Sequence, residues 1–103
     1  LKQCKICGST NLVEEHHIIK GRGKRKACET EQSLIMLCWE HHKGTYGVHG
    51  KNGSELDMRL KLQLQATYYD MGKGDSEIRK LMGGKLYLVE GEVYKGGARE
   101  VVA

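Results

Sequence analysis

The stretch Leu34-Ile-Met-Leu-Cys-Trp-Glu-His-His42 decides how this chain is read. Leu34 to Leu37 is a short apolar run, long enough for a buried strand and too short for a helix of ordinary length. Cys38 follows directly. With His41 and His42 it makes a C-x-x-H-H knuckle, at what reads as the start of a short helix from Cys38 to about Tyr46. A C-x-x-H pair can offer two ligands to one ion, and a tetrahedral zinc site needs four. The other pair stands upstream, where Cys4 and Cys7 form C-x-x-C. The spacing therefore predicts a structural zinc on Cys4, Cys7, Cys38 and His41. Cys28 has no partner at such spacing; it reads as a free thiol and is the main substitute ligand.

Outward from the knuckle, Asn11 to Ile19 reads as a strand, with Val13, Ile18 and Ile19 supplying β propensity. It carries the adjacent pair His16 and His17. Side chains on a strand alternate between faces, so one of the two can bind a metal while the other faces a substrate. All five histidines (His16, His17, His41, His42 and His49) fall in the first half of the chain. Lys20 to Lys26 (KGRGKRK) holds Lys20, Arg22, Lys24, Arg25 and Lys26 with no acidic residue. Gly21 and Gly23 make it a flexible loop rather than a helix face. Clustered Lys and Arg displace counterions from nucleic acid, so this loop is a candidate phosphate contact.

The composition bounds these readings. The chain has 103 residues, 39% of them apolar, Tyr or Trp, and the only aromatics are one Trp and five Tyr. One small domain with a thin core is expected, and a thin core favours an added staple. Four cysteines could make two disulfides, but the mixed Cys and His spacing points to metal in a reducing compartment. The formal charge of +4 is not extreme. No apolar run is long enough to span a bilayer, and Leu1-Lys-Gln-Cys4 does not open like a signal peptide. A start at Leu1 suggests a lost initiator Met or tag.

The second half is read more coarsely. Between Ser54 and Met71, Leu56, Met58, Leu60, Leu62 and Leu64 alternate with polar residues, which is a strand pattern. The residue types are good helix formers, however, and Ser54 with Asp57 imitates a capping box, so a helix is expected. Leu56, Leu60 and Leu64 then form one stripe, and Met58, Leu62 and Ala66 form another nearly opposite. Two stripes need two covers: the core formed by the first half for one, and the last part of the chain or a second copy for the other. Asp75 to Met82 reads as a short helix stopped at Gly83-Gly84. Leu86 to Tyr94 offers short strands around Gly91. The tail from Lys95 is expected to be loose.

The set Glu14-Glu-His-His-Ile-Ile19, a Gly-bearing loop, Leu34 to Cys38 and Cys38-Trp-Glu-His-His42 resembles the HNH endonucleases, and in particular their small bacteriophage-encoded members. The resemblance covers about Cys4 to His49. It implies a ββα-metal core pinned by zinc between two knuckles. It implies that His17 is the general base, that His16 and His42 hold a catalytic divalent ion, and that His41 is the fourth zinc ligand. Glu14 falls where some relatives place a supporting carboxylate. The family's middle Asn falls on Ser33, which could orient the base only weakly. The further metal-binding His of many relatives falls on Tyr46. His49 is the candidate third ligand instead, with water, Glu14 or Glu15 as alternatives.

The expectation is an α+β chain with two parts. Residues 1–53 form a zinc-stapled nuclease core, and residues 54–103 form a mainly helical extension packing on the core or on a second chain. The expected activity is metal-dependent hydrolysis of DNA phosphodiesters, by nicking or by weakly specific cleavage. Its ion would be Mg2+, Mn2+, Ni2+ or Zn2+. DNA is the expected partner; a homodimer and phage packaging proteins are further candidates. No membrane contact is expected. The expected compartment is the cytoplasm, of a bacterial host if the chain is phage-encoded. The alternative is a zinc-stabilised DNA-binding module without catalysis.

Overall fold

The apolar run Leu34–Leu37 is a strand, β2, and it pairs antiparallel with β1, Glu14–His17. Glu14 stands opposite Leu37, and His17 opposite Leu34. The computed structural model describes residues 2–96. The expected tail from Lys95 lies outside these residues except for Lys95 and Gly96. Between β1 and β2 come α1 (Lys24–Ala27) and a 3-10 turn (Glu31–Ser33). After β2 come α2 (Trp39–His42), α3 (Ser54–Asp70), α4 (Asp75–Leu81), and a hairpin of β3 (Leu88–Val89) and β4 (Glu92–Val93). The described chain is thus a small mixture of helices and strands, in keeping with an α+β reading.

Several boundaries differ from the sequence expectation. β1 is shorter than Asn11–Ile19, because Asn11 and Leu12 form a turn, with Leu12 at φ 48. Ile18 and Ile19 leave the strand but stay buried. The basic loop is not wholly irregular: Lys24–Ala27 closes one helical turn, entered through Gly23 at φ 79, a backbone angle that suits glycine. α2 also stops early, at His42, and residues 43–53 are mostly tight turns.

These turns follow the spacing of Gly44, Gly47, Gly50 and Gly53. The amide of each glycine from Gly47 on donates to the carbonyl of the glycine before it, at 2.9, 2.8 and 3.2 Å. A Cβ on Gly50 would stand 1.7 Å from the Gly44 oxygen, and one on Gly53 would stand 1.8 Å from the Gly47 oxygen. Only a residue without a side chain fits there.

α3 confirms the helix formers over the alternating pattern. Its expected cap does not form: Gly53 is the N-cap, and Ser54 makes no side-chain cap bond. Asp57 pairs with Lys20 at 3.1 Å and Lys61 at 2.7 Å instead. A capping box does form elsewhere, between Thr30 and Ser33 on the 3-10 turn. The stripe of Leu60 and Leu64, continued by Tyr68, is buried in one core with Ile18, Ile19, Leu37, Cys38 and Val48. That core therefore runs across residue 53 into the second half.

The other face of α3 is covered by this same chain. Gln65 is fully buried; its amide nitrogen donates to the carbonyls of Tyr87 and Tyr94 at 3.0 and 2.7 Å. Its amide oxygen accepts from the Tyr87 amide at 2.8 Å. Leu62 is buried one turn earlier, while Met58 stays exposed. α4 ends in a Schellman motif, with the Gly84 amide on the Arg79 carbonyl and the Gly83 amide on the Lys80 carbonyl. Glu90 and Gly91, both at positive φ, turn the hairpin, as a type I′ turn requires.

Candidate functional site

Two groups of metal-ligating side chains stand on either side of α2. The first is Cys4, Cys7, Cys38 and His41, whose ligand atoms all lie within 4.8 Å of one another. Cys7 Sγ is 3.8 Å from Cys38 Sγ, and His41 Nδ1 is 3.3 Å from Cys38 Sγ and 3.6 Å from Cys4 Sγ. A tetrahedral zinc with ordinary bond lengths sets its sulfur and nitrogen ligands about 3.5–3.8 Å apart. The four residues fit such an ion, and all four cysteines are free thiols.

Local structure explains the fit. The first knuckle closes through the Gly8 amide on the Cys4 carbonyl, with Gly8 at φ 77. The Lys5 amide ties it to Met36 in β2 at 2.9 Å. Cys38 is the N-cap of α2, and one helical turn brings His41 over it. Burial raises the Cys4 thiol, but the backbone amides of Cys38, Cys7 and Ile6 outweigh it and lower the pKa to about 6. The thiolate that a metal requires is therefore favoured there. The Ser9 amide lowers Cys7, yet desolvation and the neighbouring Cys38 and Cys4 leave it raised on balance.

The second group is His16, His42 and His49, again with ligand atoms within 4.8 Å of one another. The ring centroids lie 5.2, 5.1 and 4.8 Å apart. Each ring comes from a different element. His16 is on the inner face of β1, and His42 ends α2. His49 is turned back by the glycine ladder, with its amide on the His42 carbonyl at 2.8 Å. His16 Nε2 is buried with no hydrogen-bond partner. An orphaned buried nitrogen is costly unless something else satisfies it. Burial, then the charges of His42, His49 and Lys20, depress His16 to about 4. Burial and Lys20 lower His49 as well. For His16 and His49 both shifts favour the neutral ring, the form that ligates metal. Glu14 Oε1 accepts from His42 Nδ1 at 3.2 Å and from Lys43 at 3.2 Å, which leaves the other His42 nitrogen for the group. The Lys43 ammonium and His42 hold Glu14 below the usual carboxylate range.

The three rings open into a cavity of about 650 Å³, which His17, Glu15, Lys20, Arg22, Arg25 and Lys26 also line. His16 and His17 point to opposite faces of β1, the former buried and the latter half-buried. Lys24 does not line the cavity; its stem lies beside Gly83. Lys20 reaches the cavity while paired to Asp57. Tyr46 is 73% exposed and takes no part. Ser33 does not orient His17: its hydroxyl donates to the Thr30 carbonyl and accepts from the Thr30 amide. The partner of His17 is Glu29, at 2.8 Å from Nε2. Glu29 was not singled out from the sequence, where it is one acid among many, and Asp57 was read only as the cap partner of Ser54. Cys28 is buried, its thiol on the Lys80 carbonyl at 3.4 Å.

Among the described residues no helix is long and apolar enough to cross a membrane. No family model, curated protein or solved structure matches the chain.

Proposed function

We propose that the chain is a metal-dependent DNA endonuclease of the HNH type, hydrolysing phosphodiester bonds. The observation that carries the reading is the three-histidine group and His17 in one cavity with basic side chains at its rim. Cys4, Cys7, Cys38 and His41 would hold a structural zinc, and His16, His42 and His49 a catalytic divalent ion. A bound divalent ion supplies positive charge where negative charge builds up in phosphoryl chemistry. Imidazole suits Zn2+ or Ni2+ better than Mg2+ or Mn2+.

The chain's own residues would do the rest. Arg22, Arg25 and Lys26 bind the phosphate backbone, and Lys20 adds charge to the cavity lining. His17 takes a proton from the attacking water. The water oxygen bonds to phosphorus as the 3′-oxygen leaves. One such cavity acts on one strand, so a nick is the expected product. The test is supercoiled plasmid with a panel of divalent ions. Nicking by the wild type and a loss of about 100-fold or more in His17→Ala is expected. A plasmid left intact with every ion, but shifted on a gel, would favour the non-catalytic DNA-binding module.

A further inference from the structure

We infer that Glu29 is the positioning residue of His17, fixing which ring nitrogen faces the cavity; this rests on the nuclease reading above. Glu29 Oε1 lies 2.8 Å from His17 Nε2. An ionised carboxylate can only accept, so the hydrogen in this bond is on Nε2. A neutral His17 then carries its lone pair on Nδ1. His17 lines the cavity and Glu29 does not. The carboxylate therefore grips the ring from outside the cavity, and Nδ1 is the nitrogen free to take a proton from a water within it.

A surface pair between two mobile side chains would mean little. Here the backbone of Glu29 is held on both sides. Cys28 before it is buried, with its thiol on the Lys80 carbonyl of α4. Thr30 after it is locked by reciprocal bonds with Ser33, and its hydroxyl meets the Tyr68 hydroxyl of α3. The Glu29 amide itself donates to the Lys26 carbonyl at 3.2 Å. So Ser33 acts on His17 at one remove: it fixes Thr30, and through it the stretch that presents Glu29. Cys28 gains a part as the second anchor.

The test reads tautomer and turnover separately. Long-range proton–nitrogen NMR on the zinc-replete protein, under mildly alkaline conditions, should show His17 protonated on Nε2. Glu29→Ala should give a mixture of tautomers and lower kcat for plasmid nicking about 10- to 100-fold, with KM little changed. Glu29→Gln, whose amide oxygen can accept the same bond, should recover part of both. An unchanged tautomer in Glu29→Ala overturns the positioning role whatever the plasmid shows. So does an unchanged or faster kcat. A tautomer that responds, with plasmid left intact by the wild type under every ion, overturns the nuclease reading alone and keeps Glu29 as the group that sets His17. Glu29 is exposed, and an unchanged circular dichroism spectrum would show that the fold is intact.

Discussion

At the scale of single residues, the two ligand groups differ in what they owe to the fold. Cys7 is exposed, and its thiol lies 3.8 Å from the Cys38 thiol. Cys7→Ser should therefore cost metal first and stability second: lower zinc content by elemental analysis, and a melting transition that a chelator no longer shifts. His16 is the opposite case, a buried ring whose Nε2 has no protein partner. If the three histidines hold an ion as proposed, His16→Ala should remove it and leave the Cys and His group loaded, so the metal content of zinc-replete protein should fall from about two equivalents to about one, the number a single tetrahedral site holds. Asp57 lends itself to a pH test. Burial raises its carboxyl, but Lys61 and Lys20 outweigh that and hold it below its usual value. A carboxyl lowered in the folded state contributes stability that is present above its unfolded pKa of about 3.9, and that is lost as pH falls through the folded value. Asp57→Asn should destabilise by about 1–2 kcal/mol at neutral pH. In urea titrations the gap to wild type should close as the solution is acidified below the ordinary carboxylate range.

At the scale of elements, the informative contrast is between α3 and the turns before it. Leu56 to Leu64 alternates like a strand, yet forms helix because Leu, Met, Arg, Lys and Gln carry little cost in a helix and tertiary contacts exist for both faces. Residue type was the better guide because period alone does not report backbone preference. The turns from Lys43 to Gly53 carry glycines spaced by three. That spacing became a ladder because each glycine packs its α-carbon against an earlier carbonyl. Gly50→Ala should force the Gly44 oxygen aside and displace His49. The expected cost is about 2 kcal/mol or more, with weaker divalent-ion binding by calorimetry and an intact Cys and His group. The failed cap at Ser54 has a related cause: Asp57 pairs with Lys61 one turn on in α3 and with Lys20 from far up the chain, a competition that a local motif cannot express.

At the scale of the whole molecule, one core joins the two halves. Leu60, Leu64 and Tyr68 of α3 share a cluster with Ile18 and Ile19 after β1, Leu37 of β2 and the knuckle residues Cys4 and Cys38, and Ile78 of α4 and Met82 at its C-cap belong to the same cluster. Gln65 fastens the last segment with three hydrogen bonds. Gln65→Leu fills a similar volume but removes the acceptor of the Tyr87 amide and one bond to the Tyr94 carbonyl, while the Tyr87 carbonyl keeps the Tyr94 amide. It should lower stability by about 2–4 kcal/mol, and hydrogen exchange at Tyr87 should accelerate before that of the β1–β2 pair. By itself the order of residues was enough to specify the two knuckles, the strand Leu34–Leu37, the long helix and the histidines from which the candidate site is drawn. These follow from short-range spacing, residue preference and ligand chemistry, all of which are written locally. It could not specify that His49 turns back onto His16 and His42, that Glu29 rather than Ser33 meets His17, or that Asp57 reaches Lys20 and Cys28 reaches Lys80. Those pairings depend on where packing brings distant backbone, and side chains of one chemical type become distinct only once burial and geometry have separated them.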